Sequence, residues 1–258
     1  MSTAQPQLIV NADDLGRTRG INEGIFEAHE NGLVTSSTLM VIYPAAEEAA
    51  AQLDRFPDLG IGLHAQLSGG APLLPADSIQ SLVDEQGRFP AKPDGLVDIA
   101  PDQIRIEIQA QFVRFRELTG RLPTHLDSHH HSHRVPEVCE AIIDLACEWN
   151  LPIRRSSTAI ADWLRQTRIP TTDVFNEDFF GSAARLDVLL DIIRGLEPET
   201  TELMCHPGIS DDELRRDSSY ADEREEELQV LTQPEALQAI QERGIQLTHF
   251  GQFLASEL

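Results

Sequence analysis

Apolar residues along the 258-residue chain come in short runs separated by stretches of helical spacing. Leu8-Ile9-Val10 predicts a buried strand; Ile21, Ile25 and Ala28 then recur at the interval of an amphipathic helix, with Gly32 placed to end it. The alternation continues. Further strands are expected over 38–42, 59–63, 124–128, 151–154, 202–205 and 245–248. Helices are expected over 45–53, 101–117 with a proline at the first helical position, 135–149, 186–193 and 234–242. Residues 68–100, the surroundings of Phe179-Phe180-Gly181 and the charged stretch 211–227 lack either period and read as loops, the first long enough to expect a functional one. Seven strands, each followed by a helix or a long loop, predict a parallel α/β architecture, and the length suits one (β/α) barrel, complete or incomplete. No shift in composition and no internal repeat divides the chain, so a single domain over 1–258 is expected.

Composition narrows the partners. The 41% of hydrophobic residues suits a globular core, and 20 basic against 43 acidic residues leave a net charge of −23. Such a charge repels a phosphate backbone or an anionic membrane surface, so neither nucleic acid nor membrane is expected as a partner. The N-terminal residues carry no basic leader and no long apolar run, which with three cysteines lacking any CxxC spacing predicts a cytoplasmic protein with reduced thiols.

Histidine placement points to chemistry. Five of nine histidines fall in His125-Leu-Asp-Ser-His-His-His-Ser-His133, at the end of the fourth expected strand. If the strand stays extended there, His125, Asp127 and His129 share one face, and imidazoles beside a carboxylate at a strand end are what a divalent ion needs; a solvated polar loop is the alternative. Asn11-Ala12-Asp13-Asp14 follows the first strand, where adjacent carboxylates need a cation or a shared proton unless one merely caps the next helix. His64 and His206 end two more strands; each alone could be a core histidine. Their common position is the stronger signal, because in a parallel barrel the carboxyl ends of the strands gather on one face. Neither a Gly-x-Ser-x-Gly elbow nor a Gly-rich phosphate loop is present, so serine-hydrolase and nucleotide-binding readings lack support.

Four segments, Leu8 to Gly16, Gly62 to His64, Pro123 to His133 and Met204 to Gly208, together with Ser218-Ser-Tyr220, Arg224-Glu225 and Glu227-Leu228, resemble the YdjC-like carbohydrate deacetylases, the family that includes bacterial chitooligosaccharide deacetylase. The resemblance implies a distorted (β/α) barrel, TIM-barrel-like and of about seven strands, and a metal-dependent hydrolase that removes acetyl groups from N-acetylated amino sugars or oligosaccharides. It implies that Asp14, His64 and His129 hold one divalent ion, that Asp13 is the general base and that His206 is the acid-side histidine. Asp127 and His131 match positions near the site. Arg154, Tyr220 and Arg224 are candidates for sugar contact, with surface ion pairing as the alternative. One carboxylate and two imidazoles suit zinc, and also cobalt or nickel, while magnesium, a further candidate, prefers more oxygen ligands. Residues 77–100 match no family motif, and homodimer formation is left open. Two other readings compete: another barrel metal hydrolase, such as a phosphoesterase, and a metal-binding protein without catalysis.

Overall fold

Strand β1 (Gln7–Leu15) is buried along all but its first residue, and it sits in the middle of a sheet whose pairings are all parallel. A computed structural model describes residues 5–255. The other strands are β2 (Ser36–Leu39), β3 (Gly60–Ala65), β4 (Leu126–Ser128), β5 (Val174–Asn176), β6 (Thr200–Cys205) and β7 (Gln246–Leu247). Their order is β4-β3-β2-β1-β6-β5, with β7 paired to the start of β1. Parallel neighbours need crossovers, supplied by helices α1 (Arg19–Glu30), α2 (Ala45–Gln52), α3 (Pro101–Thr119), α4 (Pro136–Trp149), α5 (Thr158–Thr167) and α6 (Leu186–Arg194). Four more, α7 (Asp212–Asp217), α8 (Asp222–Leu231), α9 (Pro234–Arg243) and α10 (Phe250–Ala255), follow β6. The result is an α/β distorted barrel, a curled sheet with helices packed around it.

Each expected strand but one is found, shifted by a few residues at its ends. The exception is 151–154, where only Ile153 bridges to Leu126. Pro152 has no N–H to continue a ladder. Instead the Leu126 N–H donates to the Pro152 carbonyl, the Arg154 N–H to Leu126, and the Ile153 N–H to Pro170. Residues 152–154 and 170–172 thus lie between β4 and β5 where a regular barrel would have a strand, which is the distortion. The seventh strand is β5, three half-buried residues too short to show a period. The stretch 211–227, expected as a loop, holds α7 and most of α8; Asp211 caps α7 through the Leu214 N–H, and acidic side chains crowd both first turns, where the helix dipole favours them.

The long segment 68–100 is an ordered wall. Ile79, Leu82 and Phe89 are buried, and three single-turn 3₁₀ helices break its path. Glu107 of α3, fully buried, accepts the Leu73 and Leu74 N–H groups at 2.9 and 3.0 Å, and Gln103 accepts that of Ser81 at 2.8 Å. Satisfied backbone groups hold this segment against α3.

Candidate active site

The carboxyl ends of β1, β3, β4 and β6 open into one cavity of about 1250 Å³, lined by Asp13, Asp14, His64, His129, His130, His131, Phe180, His206, Tyr220 and Arg224 among others. The wall 68–100 contributes Arg88 to Pro93.

Adjacent residues of a strand point to opposite faces, yet Asp13 and Asp14 both reach this cavity. The backbone explains it. Pairing with β2 slips between Ala12 and Leu15, and Asp14 has φ +72°, a left-handed conformation that costs a non-glycine residue about 1–3 kcal/mol. Gly16 follows with φ +89°, and a Cβ there would come within 2.8 Å of Leu39. The bulged turn delivers two carboxylates side by side.

His64 ends β3. Its Nδ1 lies 2.6 Å from Asp127 Oδ1, while its Nε2 stands 3.4 Å from Asp14 Oδ1. His129 follows β4 directly and places Nδ1 3.0 Å from the same oxygen. Asp14 Oδ1 is buried and has no hydrogen bond of acceptable geometry; its other oxygen accepts from Arg224. One free carboxylate oxygen and two imidazoles therefore converge within 4.8 Å of one another. A second set, Asp13, His64 and Asp127, overlaps it, but Arg154 already occupies both of those carboxylates. The first set fits a divalent ion, and Asp127 orients His64 as the outer partners of metal-bound histidines do. Charge agrees. Burial alone would lower the His64 pKa, but Asp127, Asp14 and Asp13 outweigh it and push it up to about 10, so the position attracts positive charge.

Asp13 is held differently. Arg154, with no exposed surface, donates to both Asp13 oxygens at 2.7 Å, and Asn11 donates to Oδ1 at 2.9 Å. Burial pushes the Asp13 carboxyl up, but the Arg154 charge and hydrogen bonds more than reverse this and hold it far below the usual carboxylate range. Arg154 also bonds Asp127 at 2.9 Å and Glu202 at 2.7 Å. The expectation of a sugar contact at Arg154 is corrected: it lies behind Asp13, out of reach of any ligand. Arg224, 2% exposed and bonded to Asp14, is likewise committed to holding a carboxylate, although it borders the cavity.

On the far side, His206 places Nε2 4.0 Å from Asp13 Oδ2. Burial lowers its pKa to about 4 despite the nearby Asp13, so the imidazole is neutral at pH 7. Its backbone N–H donates to Glu227, whose Oε1 is 3.9 Å from Nδ1 and accepts the Tyr220 hydroxyl at 2.5 Å.

The five clustered histidines separate. His125 leaves the site: its ring stacks 3.9 Å from that of Phe250 and packs where a Gly62 Cβ would otherwise stand. Extension past Ser128 also fails, because residues 129–134 turn into a 3₁₀ helix with His130 and His131 both at φ +53°. That turn aims His129 at Asp14 and sends His131 to the opposite wall, 3.2 Å from Glu177. His133 is locked between Ser128 and Ser156 at 2.6 and 2.7 Å, a structural role. Thr38, 3.2 Å from Asp127, and Glu202 escape sequence reasoning. For Glu202 a signal exists, a lone carboxylate inside the otherwise uncharged run Thr-Thr-Glu-Leu-Met-Cys.

Fold and site together define a class: parallel α/β barrels, incompletely regular, with a carboxylate–histidine cluster in the mouth at the carboxyl ends of the strands. Within it the chain belongs to the YdjC-like family, since the family model described as YdjC-like protein matches residues 7–242. A carbohydrate deacetylase of Geobacillus stearothermophilus is 45% identical over 246 residues, covering 95% of this chain and 97% of that one. A chitooligosaccharide deacetylase of Proteus mirabilis is 39% identical, covering 93% and 96%. Among solved structures, a protein of Enterococcus faecalis V583 with the provisional name of a cellobiose-phosphate cleavage protein superposes with a TM-score of 0.91 at 33% identity, covering 96% of this chain and 99% of its own. A family 4 carbohydrate esterase of Streptomyces lividans shares the fold, with a TM-score of 0.54 at 12% identity over 94% and 91% of the two chains.

Proposed function

We propose that this protein is a metal-dependent carbohydrate N-deacetylase that hydrolyses the acetamide of an N-acetylated amino sugar or its oligosaccharide, releasing acetate and a free amine. The observation that carries the reading is the free Asp14 oxygen between His64 and His129, beside a carboxylate, Asp13, that is not itself needed as a ligand. The names of the relatives, carbohydrate deacetylase and chitooligosaccharide deacetylase, support the substrate class.

A divalent ion held by Asp14, His64 and His129, zinc or magnesium, would polarise the acetamide carbonyl and acidify a water. The chain's own residues do the rest. Asp13, kept ionised by Arg154, accepts a proton from the attacking water; the same clamp makes it a weak base, so the proton must move on. His206 is the neighbour that receives it, 4.0 Å away and neutral beforehand. As imidazolium it lies between Asp13 and Glu227 and protonates the departing nitrogen. Asp127 and Arg154 are positioning residues, acting through His64 and Asp13. Tyr220, which lines the cavity, is assigned to sugar contact in this reading, and His131, on the wall, to site support. The reaction is assigned to a single domain, and a cytoplasmic setting suits its three unpaired thiols.

The test is metal analysis of the purified protein followed by an assay of metal-loaded enzyme on N-acetylated mono- and oligosaccharides. Acetate release stoichiometric with new amine is expected. Release of phosphate from a phosphorylated sugar, or of a shorter sugar by glycosidic cleavage, without acetate would replace the reading.

A further inference from the structure

The cavity carries an aromatic pair that neither the metal cluster nor the proton path uses. Phe180 stacks on Tyr220 with ring centres 4.4 Å apart and planes 4° apart. One face of Phe180 is therefore covered, yet the residue is still 46% exposed and it lines the cavity. Among the reacting groups its neighbour is His206, whose ring stands edge-on at the side of the stack, 5.3 Å from the centre of Phe180 and 5.8 Å from that of Tyr220.

The arrangement is built, not accidental contact between loops. The Tyr220 hydroxyl donates to buried Glu227 at 2.5 Å and accepts the Gly181 N–H at 2.8 Å, so the ring that supports Phe180 also ties down the residue after it. The Arg224 guanidinium, bonded to Asp14, lies 5.6 Å from the Tyr220 ring centre, and its Nε–H donates to the Tyr220 carbonyl at 3.1 Å. The platform is thereby referenced to Asp14 through Arg224 and to His206 through Glu227. Phe180, half in water, is backed by Tyr220, which Glu227, Gly181 and Arg224 hold in turn, so its exposed surface is fixed at the cavity where a ligand can meet it.

The ligand that fits is a pyranose. The axial C–H groups of a sugar ring form a patch of weak positive charge, and the face of an aromatic ring is the negative end of its quadrupole. We propose that the open face of Phe180 is the platform on which the sugar ring bearing the scissile acetamide lies, with its C2 nitrogen toward His206. Because His206 stands beside the stack, 5.3 Å from Phe180, the platform adjoins the reacting groups, and the proposal gives it the sugar that carries the scissile acetamide and not a distant one of a longer chain. The proposal rests on the deacetylase reading and adds the residue that seats the substrate.

The experiment compares metal-loaded wild type with Phe180→Ala, Phe180→Leu and Phe180→Tyr on N-acetylglucosamine and on its β-1,4-linked dimer, measuring acetate. Because stacking acts on ground state and transition state alike, Phe180→Ala should raise KM about tenfold and leave kcat within about threefold. Phe180→Tyr should restore KM and Phe180→Leu, apolar without a π-face, should restore little. Both sugars should suffer equally. An unchanged melting temperature, expected for a half-exposed position, separates this from loss of fold. Unchanged KM in Phe180→Ala, full rescue by leucine, or a defect confined to the dimer would each overturn the platform. Saturation-transfer NMR of glucosamine, read on the sugar C–H protons with wild type and Phe180→Ala, decides the ring contact without turnover. If wild type released no acetate, the deacetylase reading would fall while this contact was still measured.

Discussion

The two sides of the cavity are made differently. On the side of Asp14, His64 and His129 every donor sits at or directly after a strand end and is at most 7% exposed, and a second side chain fixes two of them, Asp127 on His64 and Arg224 on Asp14. On the other side only His206 directly follows a strand, β6; its companions stand on loops, Phe180 after β5 and Tyr220 between α7 and α8. Aromatic stacking and one buried carboxylate, Glu227, hold that side. Metal affinity depends on distances good to about 0.2 Å, which a hydrogen-bonded sheet maintains. On the proposed reading a sugar enters and leaves here, which loops on a rigid scaffold allow. Arg224 belongs to both sides, reaching Asp14 from the helix that carries Glu227.

The comparison breaks first at the ligands. Asp14→Ala, His64→Ala and His129→Ala should each lose bound metal and fall to background turnover, whereas Asp13→Asn should keep the metal and lose roughly 10³-fold in kcat, the scale of a general base. Metal content by elemental analysis and acetate release check both arms; normal turnover in Asp13→Asn would remove the base assignment. Next comes the loop side. His206→Ala should retain metal and lose about 10²-fold on an amide, and less on an acetate ester whose leaving group needs little protonation. Equal losses on both substrates would assign His206 to the oxyanion instead. Smaller again is the outer support of the metal side: Asp127→Asn keeps shape and removes charge, and should weaken metal affinity about 10–100-fold, measured by competition with a chelator. Unchanged affinity would mean that Asp127 serves Arg154 alone.

Sequence reasoning reached the strand side of the site better than the loop side, and the reasons are physical. Buried parallel strands read as short apolar runs, so their ends, and with them Asp14, His64 and His206, can be located by pattern. What pattern cannot show is the left-handed turn at Asp14 that puts two neighbouring carboxylates in one cavity, because alternation predicts the opposite. The same holds for the turn at His130 and His131, which separates histidines that an extended chain would have aligned differently. Arg154 was legible as a polar residue of interest but not as a buried cation, since its three carboxylate partners, Asp13, Asp127 and Glu202, come from three different strands, β1, β4 and β6. Helices α7 and α8 hid behind their charge, and β5 behind its three-residue length.

The smallest expected effect is also the one that tests how far the loop side depends on Glu227. Burial pushes the Glu227 pKa up to about 7, against the opposing pull of the Tyr220 hydroxyl and the His206 N–H, which both bond the ionised form. Tyr220→Phe removes the first of these donors. A carboxylate that loses a donor is less willing to ionise, so the pKa must rise further. If ionised Glu227 stabilises the His206 imidazolium, activity on the acid side then falls and the acid limb of the kcat/KM profile moves to higher pH, while the alkaline limb and the rate at its plateau change by no more than a few-fold. Phenylalanine keeps the stack with Phe180, so KM at the plateau should change less than in Phe180→Ala. A profile that superposes on that of wild type would detach Glu227 from the proton path and leave it as a brace for the backbone of His206; a shift toward lower pH would contradict the hydrogen-bond polarity that the structure shows, in which the tyrosine donates.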